Sequence, residues 1–290
     1  MPTPAWLKQF VAERGLTDRF VADALEHLAP LADALTGKGA RRIGLSGGQG
    51  TGKSTLGACL QALLENEHRK HAALLSLDDF YLPRTERLAL AETVHPLYRT
   101  RGVPGTHDTG LLARTIGALD GTAGSVELPV FDKSRDDRSD SRRSVRLPVD
   151  IVFLEGWCVG AVHQRGIELE RPVNALERQE DPDGRWRCDV NERLSRDYEP
   201  VFAQLDTLVF LKPPGYESLY RWRAQQEHEL LAQRGSGMTD TELTRFMQHY
   251  ERLTRACLDR LPAEADVVID LAEDHSIAAV LFSDGENPGS

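Results

Sequence analysis

Cysteine is scarce: four residues in 290, Cys59, Cys158, Cys188 and Cys257, lie far apart with no C-x-x-C pair and no adjoining histidine pattern. That spacing argues against zinc and makes free thiols the expectation. Long apolar runs are missing too. No stretch approaches the ~20 residues needed to cross a bilayer, so no membrane association is expected. The opening residues, Met1-Pro2-Thr3-Pro4-Ala5-Trp6, lack a basic segment leading into an apolar one, which argues against a secretory signal and predicts a cytoplasmic location. Positive charge is in deficit, with 35 Lys and Arg against 45 Asp and Glu and a net charge of -10, whereas a nucleic-acid partner would favour a basic face. No internal repeat, heptad array or low-complexity linker occurs. What remains is an ordinary globular composition, 40% hydrophobic and 28% charged, in a chain long enough for one large domain or two small ones. The oligomeric state is left open.

Against these absences stands one complete motif. Ile43-Gly44-Leu45-Ser46-Gly47-Gly48-Gln49-Gly50-Thr51-Gly52-Lys53-Ser54-Thr55 is an apolar run feeding into G-x-x-x-x-G-K-S/T, a loop whose backbone N–H groups cradle phosphates. Gly47, Gly48, Gln49, Gly50, Thr51, Gly52, Lys53, Ser54 and Thr55 are therefore candidate ATP phosphate-binding residues. Lys53 would reach the β/γ-phosphates and Ser54 would offer its hydroxyl to Mg²⁺, with a helix N-terminus beneath the anion. Leu56, Leu60, Leu63 and Leu64 supply the helical spacing that follows. Leu45-Ser46-Gly47-Gly48-Gln49 also spells the signature of ABC transporter ATPases. In that family it lies far downstream of the phosphate loop, and one stretch of backbone cannot serve both nucleotide faces.

Short apolar runs recur along the chain: Ala72-Ala73-Leu74-Leu75-Ser76-Leu77, Ile151-Val152-Phe153-Leu154, Thr207-Leu208-Val209-Phe210-Leu211 and Val267-Val268-Ile269. Helical patterns separate them, over residues 189–204, 216–234 and 240–260. The alternation predicts an α/β fold with a parallel sheet covered by helices on both faces. Before the loop, Phe20, Val21, Leu25, Leu28, Leu31 and Leu35 predict a helical N-terminal extension over residues 1–40, with Thr17 as N-cap and Gly37 as stop. Two stretches read as insertions, residues 93–146 and 164–187, and the tail 283–290 is polar and expected to fray. Ligands of such sheets gather at the carboxyl ends of the strands, where the phosphate loop, Asp78, Asp79 and Glu155 all fall.

No N-K-x-D guanine-specificity sequence occurs, which lowers the GTPase reading. A kinase needs a carboxylate beside the acceptor hydroxyl, a second one near Mg²⁺, and cations around the transferring phosphoryl group. Asp78, taken alone, is better explained as a loop Asx turn or cap. Its context, Leu75-Ser76-Leu77-Asp78-Asp79-Phe80-Tyr81, resembles the S-x-D-x-F-Y stretch of the superfamily of uridine kinase, phosphoribulokinase and pantothenate kinase. The resemblance implies a P-loop NTPase three-layer sandwich, with a kinase domain over residues 41–290 and a lid at about 215–240. It makes Asp78 the candidate base, Glu155 a residue of the Mg²⁺ site, Asp79 a neighbour that shapes the site or holds a water of the metal shell, and Arg221 and Arg223 stabilisers of phosphoryl charge on the lid.

Further stretches narrow the resemblance: Arg101-Gly102-Val103-Pro104-Gly105-Thr106-His107-Asp108, Pro129-Val130-Phe131-Asp132-Lys133-Ser134 with Arg138, Glu155-Gly156-Trp157, and Gly237-Met238-Thr239-Asp240. Together these are similar to the plant-type D-glycerate 3-kinase family and its bacterial and fungal relatives. That implies D-glycerate as the small-molecule acceptor, with ATP and Mg²⁺, and substrate contacts from Tyr81, Arg101, His107, Lys133 and Arg138. One departure stands out. Relatives follow D-K-S with a glycine-containing G-R-G-D-R run, where this chain has Arg135-Asp136-Asp137-Arg138. The rival expectations are a kinase of the same fold acting on pantothenate, a nucleoside or a sugar, and a regulatory ATP-binding protein without catalysis.

Overall fold

The computed structural model describes residues 2–234 and 237–283. Residues 235 and 236 of the expected lid and residues 284–290 of the polar tail lie outside them. Among the described residues eight strands form: β1 (Arg42–Gly47), β2 (Ala72–Ser76), β3 (Ser125–Asp132), β4 (Asp137–Arg146), β5 (Ile151–Gly156), β6 (Thr207–Lys212), β7 (Val267–Leu271) and β8 (Ile277–Phe282). Six make one sheet in the order β2-β5-β1-β6-β7-β8, parallel throughout except for β8 at the edge. β3 and β4 pair separately as an antiparallel hairpin.

The five apolar runs become the five parallel strands because each must face a core on both sides. Side chains alternate between those cores. Ile151 and Phe153 of β5, Val209 and Leu211 of β6, and Val267 and Ile269 of β7 point to one cluster with the helix Lys53–Glu67 and the N-terminal helices. Val152, Leu154, Phe210 and Val268 point to the other, with Leu253, Cys257 and Leu261 of the long helix Asp240–Glu264. The chain is therefore an α/β three-layer sandwich around a mainly parallel sheet.

The N-terminal residues are helical over Ala5–Arg14 and again from Asp18 to Gly37, the second stretch passing through a π-turn at Ala24–Leu28. Leu28, Leu31 and Leu35 are buried against the phosphate-loop helix. Sequence and structure differ at several places, among them the stretch 164–187, which holds the short helices Gly166–Leu169 and Ala175–Glu180. The second run ends as a strand at Ser76, and Leu77–Phe80 forms a single 3-10 turn, because Leu77 and Phe80 are both drawn into the core. The stretch 93–146 holds a helix, Thr109–Ala118, and the β3–β4 hairpin. Hydrophobic patterning missed the hairpin because β4 is polar at every position but Val145, its one buried residue. β8 was also missed; it is a half-exposed edge strand. Among the described residues no helix is long and apolar enough to cross a membrane.

The ends of the sheet are handled differently. At the end away from the phosphate loop, an aspartate just ahead of a strand accepts N–H groups where the neighbouring strand begins. Asp150, before β5, accepts from His71 at 2.9 Å. Asp206, before β6, accepts from Arg41 and Arg42 at 2.9 and 2.7 Å. Asp266, before β7, accepts from Leu208 at 2.7 Å. Backbone donors with no ladder partner are thus satisfied in turn across the sheet. Replacing Asp206 by Ala is expected to lower unfolding free energy by about 1 kcal/mol, the usual worth of such bonds near solvent. Denaturant unfolding measures that loss, and turnover should be unaffected.

Candidate active site

At the opposite end, the strands deliver their polar residues to one cavity of about 530 Å³. Gln49, Gly50, Gly52, Lys53, Ser54 and Thr55 line one side of it, and Asp78, Tyr81, Arg101 and Lys133 the other. Glu155, Trp157, Arg223, Phe246 and Tyr250 close it. The helix Lys53–Glu67 starts at the loop, so its N-terminal dipole points into the cavity. Thr51 braces the loop from within, donating to the Gly48 carbonyl at 2.8 Å. Gly50 is held at φ +87°, where a side chain would be strained, and a Cβ there would stand 3.0 Å from Cβ of Trp222. The Gly50 carbonyl hydrogen-bonds the ring of His275 at 3.0 Å, and that ring stacks on Trp222 at 4.1 Å.

Ser54 and Glu155 meet as expected of a cation site. The Ser54 hydroxyl donates to Glu155 Oε1 at 3.0 Å, while Glu155 Oε2 is buried with no hydrogen-bond donor. A carboxylate oxygen removed from water without a partner is costly, and a cation with its waters would satisfy it.

Asp78 stands on the 3-10 turn with both carboxylate oxygens engaged. Tyr81 Oη donates to Oδ1 at 2.8 Å and Lys133 Nζ to Oδ2 at 2.7 Å. Burial acts to raise its pKa, but the charge and hydrogen bond of Lys133, with Lys53 and Tyr81 adding to them, outweigh it and hold the carboxyl down to about 2. The turn is fixed by the loop Arg101–Asp108. Leu82 N–H donates to the Thr106 carbonyl and Asp108 N–H to the Phe80 carbonyl, each at 2.8 Å, and the Tyr81 ring stacks on His107 at 4.4 Å. That loop is held in its turn by two aromatic residues: Trp157 Nε1 donates to the Gly102 carbonyl at 2.8 Å and Tyr250 Oη to the Arg101 carbonyl at 2.6 Å. Gly102 lies at φ +128° directly under Tyr250, where any Cβ would overlap the phenol.

This geometry joins the phosphate loop and the Asp78 carboxylate in one cavity. No protein-family model matches the chain. An uncharacterized kinase of Schizosaccharomyces pombe, mug58, is 36% identical over 227 residues, which is 72% of this chain and 77% of that protein. The chain belongs to the P-loop kinase family that contains D-glycerate 3-kinase. The chloroplastic D-glycerate 3-kinase of Arabidopsis thaliana is 31% identical over 234 residues, 77% of this chain and 48% of that protein. The solved D-glycerate 3-kinase of Cryptococcus neoformans superposes with a TM-score of 0.71, at 28% identity, over 84% of this chain and 89% of that one. The protein is an ATP-dependent kinase for a small molecule.

Not every residue singled out by the sequence reaches the cavity of this kinase. Arg221 and Arg223 are two positions apart on the helix Tyr216–Arg234, and so about 200° apart around it. Only Arg223 faces the cavity, paired with Glu227 and lying over the Phe246 ring at 5.7 Å. Arg221 turns the other way, to Glu273 and Ser218. Asp79 points away from the site of Ser54 and Glu155, accepting the Phe131 N–H at 3.1 Å to anchor the hairpin. Burial pushes its carboxyl up, against the opposing pull of that N–H. His107 is no cation for an acceptor. Burial holds its pKa down to about 3 despite Asp78, so the ring is neutral beneath Tyr81, with Nδ1 hydrogen-bonded to Tyr198 Oη at 2.8 Å. Arg138 is a brace, donating to the Tyr81 carbonyl at 2.7 Å and pairing with Asp108 at 3.1 Å. Trp157, Phe246 and Tyr250 were not singled out individually as site residues. Trp157 carried a signal in Glu155-Gly156-Trp157, whereas Phe246 and Tyr250 fall within the helical pattern over residues 240–260 and carried none of their own.

The Lys133–Asp78 pair has a pH signature. A carboxyl held below its ordinary value of 3.8 contributes stability that is full above that pH and is lost as pH falls toward 2. Lys133→Met should therefore lose stability relative to wild type at neutral pH, and the gap should close as the pH is lowered through this window. Unfolding curves taken across it check this; a gap independent of pH would remove Lys133 as the cause.

Proposed function

We propose that this kinase transfers the γ-phosphoryl group of ATP to the primary hydroxyl of a small hydroxy acid, with D-glycerate as acceptor and 3-phosphoglycerate as product. The observation that carries the reading is the composition of the acceptor half of the cavity. One carboxylate, Asp78, shares the cavity lining with Lys53, Lys133 and Arg101, and Lys133 reaches it directly. A hydroxyl can meet the carboxylate while an acid group on the same small molecule meets the cations. The two D-glycerate 3-kinases among the relatives support the same acceptor.

Lys53 and the loop amides would hold the phosphates, and Arg223 is placed to meet charge on the transferring group. Ser54 and Glu155 fit Mg²⁺, which when bound neutralises charge on the β- and γ-phosphates. Asp78 is a weak base in the resting site. A loose phosphoryl-transfer transition state asks little of a base, because the proton leaves late, as the bond from oxygen to phosphorus forms. Its work is to orient the hydroxyl and receive that proton.

Asp78→Asn is expected to lower turnover by about 10²–10⁴ with ATP affinity kept, the range of a positioned acid or base. Near-normal turnover would dismiss Asp78 from that role. ADP release with Mg-ATP and a panel of D-glycerate, L-glycerate, pantothenate and uridine, with products identified by NMR, tests the acceptor. Stimulation confined to pantothenate or uridine would overturn the D-glycerate assignment, and no stimulation by any alcohol would favour a regulatory ATP-binding protein.

A further inference from the structure

A single turn already pairs the charges of the acceptor half. Between β3 and β4, Lys133 reaches Asp78 at 2.7 Å, and Asp136 pairs with Arg101. Lys133 and Asp136 thus occupy the two groups that an alcohol and an acid would seek. They are not held alike. Asp136 also pairs with the buried Arg87 at 3.0 Å, and Arg87 donates to the Asp136 carbonyl at 2.6 Å, so that end of the turn is anchored. The Lys133 side chain is 63% exposed. Asp78's other partner, Tyr81, is locked by its stack on His107 and its edge-on contact with Phe131 at 5.0 Å. Of the two groups covering the carboxylate, one is fixed and the other is on a flexible stem at the cavity mouth.

We propose that Lys133 is a latch on Asp78 that the acceptor's own negative charge opens. It rests on the reading of Asp78 as the group that receives the acceptor proton. In the empty site the ammonium covers Oδ2. An anionic group on the acceptor draws it off, and the same molecule then presents its hydroxyl to the uncovered oxygen. An ammonium on an exposed stem can leave one carboxylate for another at little net cost, because the charge-assisted bond it gives up is replaced by the one it forms. Water and neutral alcohols bring no charge to open it, so the latch selects hydroxy acids and suppresses waste of ATP.

In the suppressed reaction a water oxygen bonds to the γ-phosphorus. The bond from phosphorus to the β,γ-bridging oxygen breaks with its electron pair left on ADP, and the water proton passes to Asp78 and then to solvent. ADP release by the full chain with Mg-ATP tests the latch. It is measured without acceptor, with D-glycerate, and with glycerol, which offers the same kind of hydroxyl without a carboxylate. Lys133→Met is expected to raise the acceptor-free rate by about 10- to 100-fold, the range of one charge-assisted hydrogen bond. It should narrow the preference for D-glycerate over glycerol by a similar factor. Adding Asp78→Asn to Lys133→Met should abolish the rise. The latch is overturned if Lys133→Met, still binding ATP, hydrolyses it no faster than wild type, or if the rise survives Asp78→Asn. Lys133→Gln gives the same reading should the methionine variant fail to fold. A wild type that ignores every acid in the panel would defeat the acceptor assignment alone, because the acceptor-free comparison still reads the latch.

Discussion

A phosphate-binding loop must leave its own backbone donors unpaired and aimed inward, so it cannot stabilise itself by the hydrogen bonds that hold other turns. Much of what surrounds the cavity answers that constraint. Thr51 ties the loop from inside, Trp222 packs over Gly50, and His275 bonds the Gly50 carbonyl while stacking on Trp222. Trp222 in turn donates to the Glu273 carbonyl at 2.9 Å. The first helix residues beyond β6 and the turn after β7 therefore meet over the loop. Rigidity reaches it from two distant parts of the chain.

The acceptor half follows a different rule. Its groups are not fixed by strands but by segments laid on one another: the turn carrying Asp78, the loop Arg101–Asp108 paired to it, and the aromatic residues Trp157 and Tyr250 that clamp the loop. His107 belongs to this scaffold. Its neutral ring supports Tyr81, and so the orientation of the hydroxyl that meets Asp78.

The parallel strands and the phosphate loop were legible because continuous apolar runs and a fixed glycine spacing each have one physical use. The β3–β4 hairpin was not, since β4 has almost no buried face and patterning reads burial. Neighbouring residues of one type were also hard to separate. Asp78 and Asp79 are adjacent carboxylates, yet one lines the cavity and the other holds the Phe131 backbone. Arg221 and Arg223 share a helix but face opposite ways. For His107 the obstacle was charge: a histidine in a motif reads as a cation until burial is known.

The aspartates that close the strand starts make the two ends of the sheet independent of each other. Asp150 ties the start of β5 to the residue preceding β2, so everything the chain builds between those strands hangs from a frame whose alignment is set elsewhere. Turns and loops at the front can change length and chemistry without shifting the strands beneath. Such a kinase can trade one acceptor for another over evolutionary time while keeping its nucleotide machinery intact.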